Sequence, residues 1–514
     1  MHITKLIAVA AVAWGVFASG SALANHGGPP PHGAHSARLS ALVARSGLRN
    51  TVWPAPLADL WRSSSVVGAG FPEDLLEVSL VTDTAMLPPD PMFGITYDDE
   101  TVFVYGGSPF LLSVFTALER GVDLSSTLPE LIEQIPINLT IDPYVAKVKT
   151  ETMEVEILTL PRGHGVNYVG GIIAHENGLI YAVAMSTLFE IDPHTLAIKR
   201  RLDLPVPEAN GEFAIYNRLT VWPTTGDLIL KRADFSERTT DVLVLVETRT
   251  RNLRVRALTE VDLGPSRLTV VLGTPSAACA TCGVKRGGRA RIYLSGRTQT
   301  LRFVVTKNGF VLDEQWSETY RACGDGTTPG GGMVYMGDFE SVVFENNGTV
   351  KLGVTESLQL YAKSTATTSN TLVSDVVSFE AGGVFPILSA DPHRTGMIAA
   401  LDNVNGISTG WQLGQDGSLN FLWEHDNANS AGTAIAVDQG HLYTDDRTTC
   451  DDNGENCRLF FVVLDLATGA EVARTEVAGT LPTIGHIFVG KNDVFYIAIE
   501  AGKEHGFLTR ITAW

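Results

Sequence analysis

Short apolar runs separated by turn residues recur along this chain, and the order of runs repeats. From residue 167 it reads NYVGGIIAHENGLIYAVAMSTLFEIDPHTLAIKRRLDLP. An apolar run is followed by a Gly-containing turn, a second apolar run, a third ending near Asp, another turn, and a charged alternating run. The same order returns in YNRLTVWPTTGDLILKRADF, in RIYLSGRTQTLRFVVTKNGFVLDEQWS, and in GTAIAVDQGHLYT with RLFFVVLDLATGAEVARTEV. Runs that are apolar throughout predict strands buried on both faces, and alternating runs predict strands with one wet face. Asn177-Gly178, Gly226-Asp227, Asn308-Gly309, Asp416-Gly417 and Gln439-Gly440 mark the hairpin corners.

A unit of four short strands repeating in this way predicts an all-β fold, a single β-propeller of four-stranded blades. The blades expected are 92–160, 165–206, 212–263, 266–317, 326–380, 383–424, 429–478 and 481–513. Eight is the expected count and seven the alternative. The last blade lacks a strand, which EVSLV at 77–81 can supply so that both termini close the ring. GVDLSSTLPELIEQI interrupts the first blade with apolar residues at helical spacing, predicting one short helical insertion around 127–135.

The N-terminus changes the compartment. Lys5, the apolar run Leu6–Phe17 and Ser21-Ala22-Leu23-Ala24 have the form of a cleaved signal peptide over 1–24, so export is expected, to the periplasm or outside the cell. The Gly- and Pro-rich start of 25–50 predicts a disordered lead-in, leaving 75–514 for the propeller. No later segment is long and apolar enough to read as a transmembrane span. Acidic residues outnumber basic ones, 57 to 38. That balance disfavours nucleic-acid partners, because phosphate backbones attract the opposite charge. A monomer is expected.

Export also bears on the five cysteines, Cys279, Cys282, Cys323, Cys450 and Cys457. Cys450 and Cys457 flank a short polar loop, and a disulfide between them is expected. The surrounding DDRTTCDDNGEN (445–456) is oxygen-rich but lacks calcium-loop spacing, so it reads as a solvated disulfide loop. Pairing of the other three cysteines stays open. Asn138-Leu139-Thr140 and Asn347-Gly348-Thr349 are glycosylation sequons if the source modifies asparagine.

In a propeller, the entries of the innermost strands converge on the central channel, so distant residues can form one ring. Those entries hold His164, Asn167, Tyr168, Tyr216, Asn217, Arg267, Asp325, Thr327, Thr328, Glu380, Asn429 and His486. His164 and His486 are the candidate general acid–base groups, because imidazole titrates near neutrality, and Asp325 is their candidate carboxylate partner. The others are candidate ligand-binding residues, with Arg267 suited to a carboxylate. Calcium is a further candidate, through carboxylates and carbonyls. No G-x-S-x-G, H-E-x-x-H or Walker loop occurs.

FEIDPHTLAIKRRLDL and VLDLATGAEVARTEV resemble the strand endings of the quinoprotein-like propellers, the superfamily that includes the pyrroloquinoline-quinone alcohol dehydrogenases. YNRLTVWPTTGDLILKR and GDGTTPGGGMVYMGDFESVVFENNG resemble segments of its uncharacterised exported members. The likeness covers most of 165–513. It implies the propeller fold and, for the dehydrogenases, quinone chemistry. This chain departs from those enzymes: no two cysteines are adjacent, and few of its eight tryptophans fall at matching positions. Tight quinone binding is therefore not expected. The resulting expectation is a propeller binding a small molecule or glycan through its channel. Alternatives are a quinoprotein-type oxidoreductase and a lyase or hydrolase using a channel histidine and carboxylate.

Overall fold

The computed structural model describes residues 47–56, 58, 63–72, 79–107, 141–163, 169–206, 214–223, 225–234, 240–262, 267–271, 290–295, 299–319, 333–336, 341–346, 358–364, 378–379, 387–391, 395–402, 407–414, 418–426, 432–447, 458–500 and 505–514. These residues contain strands and no helix, so the chain is an all-β propeller. The segment expected to be helical, 127–135, lies outside the described residues. So do residues 1–46, with the expected signal peptide and most of the lead-in, and all five cysteines.

The described strands form eight sheets, seven of four strands and one of five. They span 91–159, 169–203, 214–262, 267–319, 333–379, 387–426, 434–477 and 481–513, numbered here first to eighth. Innermost strands of successive sheets are neighbours, and that of the eighth, Leu481–Val489, packs beside that of the first, Pro91–Asp98. The ring is closed by Leu80–Leu87, which pairs antiparallel with Gly506–Ala513 from Leu80↔Ala513 to Leu87↔Gly506. The closing strand thus starts three residues later than EVSLV and runs further. Its inward residues Ala85 and Leu87 are buried.

The repeating sequence order has a local cause. Hairpin corners at Gly178, Gly226, Gly309 and Gly440 all take positive φ, which a side chain disfavours. After the third strand, Asp192 accepts hydrogen bonds from the Thr195 and His194 amides, and Asp465 does the same for Ala467 and Thr468. Those bonds hold the Asx-type turn that starts the fourth strand. The fourth strand then reaches into the next sheet. Trp423 donates its indole N–H to the Leu466 carbonyl (2.9 Å) and lies against Gly469. Arg200 makes the equivalent reach from the second sheet, donating to the Thr250 and Thr248 carbonyls of the third (2.6 and 2.9 Å).

Residues 47–56 and 63–71 form the two described pieces of a strap along the inner edges of the innermost strands. Arg49 N donates to the Ala174 carbonyl, and Ala174 N donates back to Pro54 (both 2.8 Å). Thr96 N donates to Trp53 (2.9 Å). Across the ring, Ala390, Ile435 and Val437 donate to the Ser63, Ser64 and Val66 carbonyls (2.7, 2.8 and 2.9 Å). Ser65–Val66 pairs parallel with Ala434–Ala436, making the seventh sheet five-stranded. The piece before residue 57 thus pairs with the first and second sheets, and the piece from residue 63 with the sixth and seventh. Both lie where the innermost strands end. Leu48, in the expected lead-in, is buried here and bridges His175.

Candidate functional site

The strap pieces pair where the innermost strands end, and the opposite end of the ring, where those strands begin, is called the mouth here. This is the end at which the ring of candidate residues was placed. Two of those residues have described side chains, and they play different parts.

His486 sits in an irregular stretch of the eighth sheet. Pro482 pairs with Ala498 and Ile487 with Tyr496, so Thr483–His486 bulge out of the ladder. Pro482 has no amide to give, and a bulge of this kind turns a side chain away from its regular direction. His486 Nδ1 contacts the Thr483 carbonyl, which can only accept, so Nδ1 carries hydrogen. Nε2 lies 3.2 Å from Asp445 Oδ1, with both side chains fully buried. That distance suits an ion pair, while the approach is too far off line for a regular hydrogen bond. Tyr496 donates its hydroxyl to Asp445 Oδ2 (2.9 Å), and its ring stands edge-on to the imidazole at 4.8 Å. Burial pushes the Tyr496 phenol far above its usual range, and the Asp445 charge adds to this. The phenol is therefore a fixed donor.

Nε2 thus faces the carboxylate across the seam between the seventh and eighth sheets. A buried imidazole beside a carboxylate is the kind of pair that can serve as a general acid–base group. Gly432 leaves room for it: a β-carbon there would stand 2.8 Å from His486 Cε1.

Asp445 corrects the sequence reading. It was counted in a solvated loop starting at 445, yet it belongs to the strand His441–Arg447 and is fully buried. It lies two residues beyond the Ala434↔Tyr443 pair, which places it at the mouth. The Tyr496 hydroxyl and the His486 imidazole bring the carboxylate inside.

Tyr216 is committed elsewhere. Its hydroxyl donates to the Pro205 carbonyl (2.6 Å), which Arg232 Nη1 also reaches (2.9 Å), and its ring is buried between the second and third sheets. It stands three sheets from His486. Asn217 is the extra residue of a bulge between Tyr216 and Arg218, and Arg267 begins the strand Arg267–Val271. His164, Asn167, Tyr168, Asp325, Thr327, Thr328, Glu380 and Asn429 lie outside the described residues, as do Cys450 and Cys457.

Asp90 was missed by the sequence reading. It immediately precedes the innermost strand of the first sheet, at the mouth end, in a left-handed conformation (φ 53). It is 5% exposed, and its Oδ2 has no hydrogen-bond partner among the described residues. Burial pushes its carboxyl up to about 7. The signal available in sequence was an aspartate held between prolines at a strand entry.

No family model matches the chain, and no curated protein matches it. Solved structures do. A quinohemoprotein alcohol dehydrogenase from Comamonas testosteroni is similar over 93% of this chain and 84% of its own, at 9% identity and a TM-score of 0.52. The WD40 domain of SCAP from fission yeast is similar over 85% of this chain and 98% of its own, at 7% identity and a TM-score of 0.46. The Dos1 propeller covers 72% of this chain at 9% identity and a TM-score of 0.46. At such identities a likeness speaks of architecture alone, and the architecture it speaks of is the β-propeller.

Proposed function

We propose that this chain is an exported β-propeller that binds a small molecule or glycan at the open mouth of its channel. The observation that carries this reading is the His486–Asp445–Tyr496 cluster. An acid–base pair is expensive to bury at a seam. Its place at the mouth, on a bulge that redirects the histidine, favours a role toward a ligand over a purely structural one. Asp90 adds a second perturbed group at the same end, and perturbed groups concentrate at functional sites.

A quinoprotein-type dehydrogenase is the first alternative, resting on the resemblance of the repeat. Among the described residues there is no group of three or more His, Cys, Asp or Glu side chains suited to a metal ion. His486, Asp445 and Tyr496 serve one another, so this cluster offers a quinone and its calcium no open set of ligands. A lyase or hydrolase is the second alternative, in which the His486 imidazole moves a proton at the ligand.

The test is a thermal-shift screen of glycans and small acids on the mature chain and on His486→Gln. The expected result is a ligand that raises the melting temperature of the first and not of the second. A ligand that stabilises both equally would remove the cluster from the site. Turnover without added cofactor would promote the lyase or hydrolase reading, and a quinone retained through purification the dehydrogenase reading. Asp325→Asn should be non-additive with His486→Gln if both serve one ligand.

A further inference from the structure

Buried arginines in this ring are kept beside acids. Arg302, its side chain 5% exposed, lies against Asp313 (2.7 Å). Arg200 lies against Glu190, Arg256 against Asp227 (3.1 Å) and Arg510 against Asp493 (2.8 Å). Burial takes a guanidinium out of water, and the paired carboxylate offsets the cost. Arg232 departs from this. It is 9% exposed, yet no acid among the described residues stands within ion-pair distance of it. Asp203, two residues before its contact Pro205, is engaged by the Thr187 hydroxyl (3.1 Å).

Arg232 lies at the mouth end. It pairs with Tyr216, the third residue of the third sheet's innermost strand Ala214–Trp222. Its Nη1 donates to the Pro205 carbonyl (2.9 Å), which the Tyr216 hydroxyl also reaches (2.6 Å). That bond fixes the plane of the guanidinium and leaves its other edge, Nε with Nη2, uncommitted. Nε is buried without a hydrogen-bond partner, and Nη2 makes no hydrogen bond among the described residues either. Pro205 and Val206 are only half-buried, so the guanidinium lies just beneath the surface.

We propose that Arg232 is the receptor for a carboxylate, so that the ligand of the mouth is an acid, either a sugar acid or a small organic acid. This rests on the reading that the mouth binds a ligand. The Nε–Nη2 edge carries two parallel N–H groups, which match the two oxygens of a carboxylate. A carboxylate seated there supplies the charge that the fold withholds, although the chain has 57 acidic residues to draw on. One guanidinium balances one negative charge. A phosphate dianion would keep its second charge within a chain of net charge -19, so a monoanion is the better fit.

Calorimetric titration of the mature chain with glucuronate, glucose, glycolate and a sulfated glucose tests this. Glucuronate should bind at least about tenfold tighter than glucose, the effect of one charge-assisted pair. Arg232→Met should erase that preference, and Arg232→Lys, which keeps the charge but loses the two-pronged edge, should retain part of it. Ligand-free Arg232→Met should melt no lower than the parent, because it removes an unpaired buried charge and Tyr216 still serves the Pro205 carbonyl. A response to glycolate as strong as that to glucuronate would support the carboxylate and name a small acid as its source. The proposal is overturned if glucose or the sulfated glucose binds as tightly as glucuronate. It is also overturned if ligand-free Arg232→Met melts several degrees lower, which would make Arg232 structural. His486→Gln separates this site from the cluster across the ring. Glucuronate held by His486→Gln but lost from Arg232→Met would keep the carboxylate site and remove the cluster. Glucose bound as well as glucuronate, and lost from His486→Gln alone, would do the reverse.

Discussion

Two seams of the ring hold a buried acid, a base and a phenol, and they use them differently. Between the second and third sheets, Glu190 accepts from Arg200 Nε (2.8 Å) and from the Tyr181 hydroxyl (2.6 Å). Asn177 donates to that hydroxyl, and the rest of the guanidinium is taken up by the Thr248 and Thr250 carbonyls. The base is an arginine, charged at any working pH, so the cluster is a permanent staple. Between the seventh and eighth sheets, Asp445, His486 and Tyr496 hold the same three roles, but the base is an imidazole and its Nε2 meets the acid off line. The first cluster has nothing left to give a ligand. The second leaves the imidazole Nε2 beside the acid without a regular hydrogen bond. The choice of base, and how completely it is satisfied, separates a staple from a candidate site.

Breaking the staple should have the largest effect. Glu190→Ala leaves the Arg200 charge half-buried without its acid and should cost about 3–5 kcal/mol, read by urea unfolding, with no change in ligand binding. Loss of binding at unchanged stability would make the staple part of the site.

Asp90 sharpens the comparison, being a buried acid with no base beside it in the described structure. Its folded carboxyl holds its proton up to about 7, well above the usual 3.8. The folded state therefore binds more protons between those values, and stability should fall as pH rises from about 4 to 7. Asp90→Asn should flatten that slope and stabilise the protein above pH 7 by about 2–4 kcal/mol. An unchanged slope would show that some other group relieves the acid.

His486→Gln keeps a polar side chain at the Thr483 carbonyl and removes the imidazole. The expected cost is about 1–2 kcal/mol, with loss of ligand response. In a cycle with Tyr496→Phe, the two changes should couple, since both act on Asp445. The smallest effect expected is from Tyr216→Phe, about 1 kcal/mol, because Arg232 still serves the Pro205 carbonyl. A loss of binding in that variant would return Tyr216 to the site.

Much of the fold was legible in the chain. Buried strands are written as apolar runs and corners as Asn-Gly or Gly-Asp, so sheet limits fell within a few residues of those observed, as with 165–206 against 169–203. The candidate site was less so. His486 was singled out as a strand entry, whereas it lies within Leu481–Val489, in the bulge after Pro482. Asp445 was hidden because DDR after an apolar strand reads as the beginning of a loop, and only the neighbouring sheet's histidine and tyrosine make its burial tolerable. The strap was also hidden: SSSVVGAG has no period, because it pairs through carbonyls and amides that every residue carries.

By itself, then, the sequence determined an all-β ring of hairpins, since each strand's pattern of burial is a local property of its own residues. Tertiary structure alone decided which end of the innermost strands the strap pairs with, which acid meets the histidine, and which polar groups are consumed as structure. Those outcomes depend on contacts between sheets far apart in the chain. No local pattern encodes them, because the partner of each group is supplied by the closing of the ring.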